Sequence, residues 1–133
     1  MRETGALGGV RVVDAGLLVQ GPQAALMLAD FGADVIKVEL PGFGDQARWI
    51  PLSANDLRAP YYEACNRGKR SVTVDLRVPE GREIFLDLVD TADVVISNFK
   101  PGTLDKWGLG YEVVSKRNPR VVYATGSTFG PEG

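Results

Sequence analysis

The chain has 133 residues, 44% of them hydrophobic and 24% charged, and a formal net charge of −2 at pH 7. This is the balance of one soluble globular domain with a single core; it excludes fibrous and disordered classes and gives no basic excess for a general nucleic-acid binder. The sequence has no histidine and one cysteine, which removes Ser-His-Asp and Cys-His catalysis, the usual Cys/His zinc site and any internal disulfide.

The start, Met1-Arg2-Glu3-Thr4-Gly5, leads into no apolar signal segment, so a cytoplasmic location is the expectation. Val10-Arg11-Val12-Val13 is a β-branched run ending at Asp14 and reads as a buried strand. A loop over 15–21 precedes Pro22, which suits a first helical position. The Ala-, Leu- and Met-rich segment 22–31 then reads as a helix, closed by Gly32 in a left-handed conformation. Val35-Ile36-Lys37-Val38 is the second strand, and the short connections imply parallel pairing with the first.

From Pro41 to Pro60 the periodicity stops. Gly42, Gly44, Pro51, Asn55 and Pro60 mark a long loop, a length that in a compact domain points to function. Gly42-Phe43-Gly44-Asp45 within it reads as a plain turn, and Cys65, with no histidine to activate it, as a buried structural thiol. Ser71-Val72-Thr73-Val74 is the third strand, introduced by Arg67, Lys69 and Arg70.

Pro79 and the acids Glu80 and Glu83 open a helix whose Ile84, Phe85, Leu88 and Val89 fall on one face. Val94-Val95-Ile96-Ser97 is a further buried strand; a helical turn over 104–107 and a helix over 111–116 precede a last strand at Val121-Val122-Tyr123-Ala124. Runs such as 84–89 and 94–96 are too short to cross a bilayer, so no membrane partner is expected. Strands alternating with helices predict an α/β fold, a Rossmann-like and mostly parallel sheet flanked by helices. The final loop, 127–133, suits the end of a domain and reads equally as a chain that continues.

In such a sheet, ligands bind beyond the carboxyl ends of the strands. The candidate loops are therefore 15–21, 40–45, 75–77, 98–102 and 126–130. Neither a G-x-G-x-x-G nor a G-x-x-x-x-G-K-[ST] fingerprint occurs, so a classical dinucleotide site and a P-loop are unsupported. Asn98-Phe99-Lys100-Pro101-Gly102 joins an amide, an aromatic face and a cation at a strand end, a set able to stack a base and hold a phosphate, although a plain strand-to-helix turn explains it as well. Lys69, Arg70 and Arg77 read either as a solvated face or as phosphate partners. Asp14, Asp45, Asp75, Asp93 and Asp105 form no spaced pair of the kind that marks a catalytic dyad, and no catalytic residue is assigned.

Taken together, the blocks "GGVRVVDAGLLVQGPQAALMLADFGADVIKVELPGFGD", "NRGKRSVTVDLRVPEG", "ADVVISNFKPGTLDKWGLGYE" and "NPRVVYATGSTFG" resemble, in order and spacing, the N-terminal portion of the class III (CaiB/BaiF-type) coenzyme A transferases. That family includes formyl-CoA transferase and α-methylacyl-CoA racemase. The resemblance runs from about Gly8 to the end. It implies coenzyme A, as an acyl-CoA thioester, as substrate, with no tightly bound cofactor and no metal. The implied contacts are Val19 and Gln20 after the first strand, Val74, Asp75, Leu76 and Arg77 after the third, then Asn98, Phe99 and Lys100, with Lys106 in the next turn. Arg77, Lys100 and Lys106 would balance phosphates, and Val19 and Phe99 would meet the adenine. Three positions depart from the family pattern: Leu40 stands for an Arg, Lys106 for an Arg of formyl-CoA transferases, and Thr128 for a Gly.

The resemblance further implies that residues 1–133 form one truncated domain lacking the family's second domain and return segment. In the transferases an Asp attacks the acyl-CoA, passing through an anhydride to an aspartyl-CoA thioester; the racemases use a His/Asp pair. Both positions are expected past Gly133, with a carboxylic acid as acceptor and an interlocked homodimer as the assembly. Three readings follow: a transferase fragment retaining CoA binding, an acyl-CoA racemase fragment, or a non-catalytic module that dimerises or binds a partner.

Overall fold

The computed structural model describes residues 5–51, 53 and 59–131. Its elements run β1 (Arg11–Asp14), α1 (Gln20–Asp30), β2 (Asp34–Glu39), a 3₁₀ turn (Gln46–Trp49), α2 (Pro60–Asn66), β3 (Arg70–Thr73), α3 (Pro79–Asp90), β4 (Val94–Ser97), α4 (Thr103–Lys106), α5 (Tyr111–Arg117) and β5 (Val122–Thr125). All four strand pairings are parallel, in the order β3-β2-β1-β4-β5. The expected α/β sheet is therefore present, and parallel throughout.

The β-branched strands form this sheet because both of its faces are covered. Residues of one parity, Val12, Val35 and Ile96, pack with Ala25 and Ala33 on the α1 side. The other parity, Val13 and Val95, packs with Phe85, Val89 and Val114 on the α3 and α5 side. Crossover connections through helices put apolar cover on each face, which is why these strands read as continuous apolar runs rather than alternating ones.

Several local expectations shift. Helix α1 begins at Gln20, so Pro22 is its third residue and not its first; this is tolerated because first-turn N–H groups have no intrahelical acceptor to lose. Residue Gly32 does close the helix at φ 102°. The long loop ends at Pro60, which opens α2, a helix not foreseen in the sequence. On α3, Ile84 is 48% exposed while Leu86 joins Phe85 and Val89 in the core. The buried stripe follows Gly81, Phe85 and Val89, four residues apart, and Ile84 lies to one side of it. Cys65 is buried, as expected. The reading of Met1–Thr4, the loop marker Asn55 and the terminal Glu132 and Gly133 lie outside the described residues.

Gly81 sits against the strand end: a Cβ placed there would run into the Asp75 carbonyl and lie 3.2 Å from Val74 Cγ1. Gly81→Ala should therefore cost about 2–3 kcal/mol by overpacking, read by urea unfolding; a loss below about 0.5 kcal/mol would show that α3 can shift freely off the sheet.

Candidate functional site

The strand order reverses its winding at β1: β2 and β3 are added on one side, β4 and β5 on the other. The loops leaving β1 and β4 therefore part company, and a crevice opens at the carboxyl ends of the strands. A cleft of about 280 Å³ occupies this place. Its floor is apolar, with Ala15, Val38, Val74 and Leu76. One wall carries Leu40 and Phe43, the other Phe99 and Trp107, with Arg77 at the rim. The rings of Phe99 and Trp107 meet edge to face at 5.3 Å, and Phe43 stacks on Trp49 at 5.5 Å. Phe43, Phe99 and Trp107 thus face a slot suited to a flat apolar group, with Trp49 stacked behind Phe43.

The expected site residues are gathered only in part. Val74, Asp75, Leu76, Arg77 and Phe99 share this cleft. Lys106 is exposed on α4, next to the cleft residue Trp107. Lys100 lines a neighbouring cleft of about 500 Å³ with Ser97, Thr125, Gly126 and Ser127, and Phe99 separates the two. Val19 and Gln20 are exposed at the start of α1 and line neither; Gln20 instead packs beside Gly126, where a Cβ would come within 2.7 Å of its side chain. Asn98 points inward: its Oδ1 accepts from the Leu17 N–H at 2.7 Å and its Nδ2 donates to the Leu17 carbonyl at 2.9 Å.

Arg77 is engaged as well. Its guanidinium grips Asp75 in a fork, 2.8 and 2.7 Å, and holds that carboxyl down at about 2. Lys69, read as a member of a solvated face or a phosphate partner, is neither exposed nor free: its Nζ contacts Asp14 Oδ2 and the Pro22 carbonyl at 2.7 Å and Asn66 Oδ1 at 2.8 Å. Burial draws the Lys69 ammonium down against the pull of Asp14. Arg70 is exposed and paired with Asp34.

Sequence reasoning missed two charge networks beneath the cleft. In the first, Lys37 is wholly buried, with its Nζ 2.8 Å from Asp45 Oδ2 and 3.7 Å from Asp14 Oδ2. It donates to the Gly16 carbonyl at 2.9 Å. The Asp45 Oδ2 contact is a charge pairing rather than an aligned hydrogen bond. The second centres on Glu39, 3% exposed. It receives Arg48 at 2.7 and 2.8 Å, Tyr62 and Ser71 at 2.8 Å and the Asp45 N–H at 2.9 Å. Burial alone would push the Glu39 carboxyl up, but these donors, Arg48 foremost, hold it at about 2. Burial and Glu39 raise the Tyr62 phenol, over which the Arg48 guanidinium lies at 3.7 Å. The missed signal was a charged residue inside each buried run, Lys37 and Glu39 on β2, since an interior charge requires partners. Phe43 was missed because it sits at the tip of a turn whose Gly42 and Gly44 have φ of 75° and 72°.

Among the described residues, no cluster of His, Cys, Asp or Glu is placed to hold a metal, and no helix is long and apolar enough to cross a membrane.

Comparison with known proteins gives a consistent set of matches. The family model described as CoA-transferase family III matches residues 7–133. The succinate–glutarate CoA-transferase of Agrobacterium fabrum is 48% identical, covering 96% of this chain and 33% of its own length. The crystal structure of Rv3272 from Mycobacterium tuberculosis superposes with a TM-score of 0.89 at 46% identity, over 98% of this chain and 35% of that one. A CAIB/BAIF family protein from Brucella suis gives 0.82 at 48% identity, over 91% and 33%. The chain thus spans about a third of the length of the relatives it matches.

Because the folded Glu39 value, about 2, lies below the ordinary 4.5, its ionised form contributes stability fully above pH 4.5 and loses it as pH falls through 2. Between pH 6 and 2.5 the native chain should lose about 2–3 kcal/mol more than Glu39→Gln does, measured by urea unfolding at both pH values. Equal acid sensitivity of the two would contradict this assignment.

Proposed function

This chain belongs to CoA-transferase family III, and we propose that its cleft receives the CoA portion of an acyl-CoA thioester whose CoA is passed to a carboxylic acid. The observation that carries this reading is the meeting of Arg77, Phe99 and Trp107 at one apolar slot beyond the carboxyl ends of the strands. A flat ring fits between the aromatic walls; the exposed Lys106 supplies positive charge near the rim for phosphates, and Arg77 offers its donors there by exchanging Asp75 for phosphate. Val19 and Gln20 line neither cleft, so Val19 is not placed with Phe99 for the adenine as the resemblance implies; the two are proposed instead to meet the thioester end. Lys100 and the second cleft extend the same rim.

No carboxylate of the cleft is proposed as nucleophile. Asp75 is held by Arg77, and Glu39 by Arg48, Tyr62 and Ser71. A carboxylate whose lone pairs are already taken up by strong donors is a weaker nucleophile than a free one. As the family resemblance implies, the attacking group is proposed to lie outside these 133 residues, so that the chain alone binds without turnover. The name of the Agrobacterium relative supports transfer between acids over racemisation. A second copy of the chain, a carboxylic acid acceptor and a cytoplasmic setting complete the proposal; the exposed Val122 on β5 and Phe129 in the loop after it favour association.

Calorimetric titration with CoA tests the reading. Binding with a Kd below millimolar is expected, weakening with salt as phosphate contacts are screened and about tenfold in Phe99→Ala as a ring-stacking surface is lost. No heat at millimolar CoA would contradict it.

A further inference from the structure

We propose that Asp45, Lys37 and Asn98 are positioning residues: together they lock the loop between β1 and α1 in the one backbone shape that presents Val19 and Gln20 to the CoA thioester. This rests on the function proposed above. Its basis is a run of five consecutive backbone polar atoms, each held by a side chain from elsewhere in the chain or from the strand end. The Gly16 N–H donates to Asp14 Oδ1 at 2.8 Å, and the Gly16 carbonyl accepts from Lys37 Nζ at 2.9 Å. Asn98 takes both the N–H and the carbonyl of Leu17, and Asp45 Oδ1 accepts from the Leu18 N–H at 3.0 Å.

Such a loop has no helix or strand ladder to satisfy it; side chains do that work here, one atom at a time. At its end Leu18 has a φ of 60°, the one non-glycine with positive φ among the described residues. That left-handed shape is unfavourable for leucine and persists only where the surroundings over-determine it. The loop is also pressed onto the helix start. A Cβ on Gly21 would meet Gly16 Cα at 2.9 Å and Asn98 Oδ1 at 3.0 Å. Stability alone does not require this arrangement, because a buried set of ion pairs is commonly replaceable by apolar residues without loss. Rigid pre-setting of a ligand-facing loop does require it, since binding then avoids the ordering cost. On this view Asn98 acts through Leu17 rather than on the ligand directly.

The test uses the 133-residue chain and three variants, Asp45→Ala, Asp45→Asn and Leu18→Gly. Each is measured for thermal melting, for hydrogen exchange of the Leu18 amide without ligand, and for CoA affinity by calorimetry. Asp45→Asn keeps an acceptor for Leu18 while removing the charge facing Lys37, so it should melt lower yet bind CoA within about twofold of the native chain. Leu18→Gly relieves the unfavourable φ but frees the loop, so it should retain its fold while binding about fivefold to tenfold more weakly. Asp45→Ala should speed Leu18 exchange at least tenfold. Affinity that simply tracks melting temperature across the set, or native Leu18 exchange as fast as an exposed amide, would overturn the proposal. Absence of CoA binding by the native chain would sink the proposed function and with it the loop's part in ligand presentation, whereas the exchange rates decide separately whether the lock exists.

Discussion

A lysine ammonium with no exposed surface sits between two buried carboxylates, and much of the molecule is arranged to make that possible. Lys37 is on β2, an interior strand, directly in register with Asp14 on β1. Removing an ammonium ion from water is costly, so it stays charged only with close anions and further hydrogen bonds. Asp14 supplies one anion; Asp45, brought back by the turn after β2, supplies the other. Lys69 then balances the second charge of the set from the segment before β3. Two buried cations sharing Asp14 thereby tie β1, β2 and the approach to β3 to one point beneath the crevice where the sheet changes winding.

The Glu39 network continues this point outward. Its carboxylate joins β2 to the 3₁₀ turn through Arg48, to α2 through Tyr62 and to β3 through Ser71. The wall bearing Phe43 is therefore fixed from behind, with Asp45 and Arg48 of the segment after β2 both held by Glu39. Opposite it, the Phe99 and Trp107 wall is fixed by the contact of the two rings and by neutral hydrogen bonds, the Phe99 N–H to Ser97 Oγ at 3.3 Å and the Trp107 N–H to the carbonyls of Thr103 and Leu104. The cleft has one electrostatic wall and one aromatic wall, and the substrate slot proposed here is the space between them.

Much of this was legible in the sequence. The β-branched runs and short connections specified a parallel sheet, and the rule that ligands gather at strand carboxyl ends selected the loops that do line the clefts. What escaped was side-chain pairing over distance. Asp14, Asp45 and Lys69 show no common spacing, since only the β1–β2 register and a turn bring them to Lys37. Helix α2 escaped because Pro60 was taken as a loop residue and not as a helix start. Asn98 and Lys100 were read as parts of one contact set, yet the chain has left β4 and bends at Phe99, so Asn98 turns into the fold and Lys100 to the second cleft. Leu40, standing where an arginine is common in the family, adds no cation to the Phe43 wall, so the cations nearest the cleft are Arg77 and Lys106 on the other side.

The central claim, that one rim of this sheet is both pre-set by buried charge and built for CoA, is open to one direct measurement. A CoA titration followed by backbone amide shifts should move residues 17–20, 74–77 and 99–107 along a single saturation curve. Shifts confined to the opposite ends of the strands, around Gly8, Gly32 and Asp93, or no saturating shift at all, would contradict it.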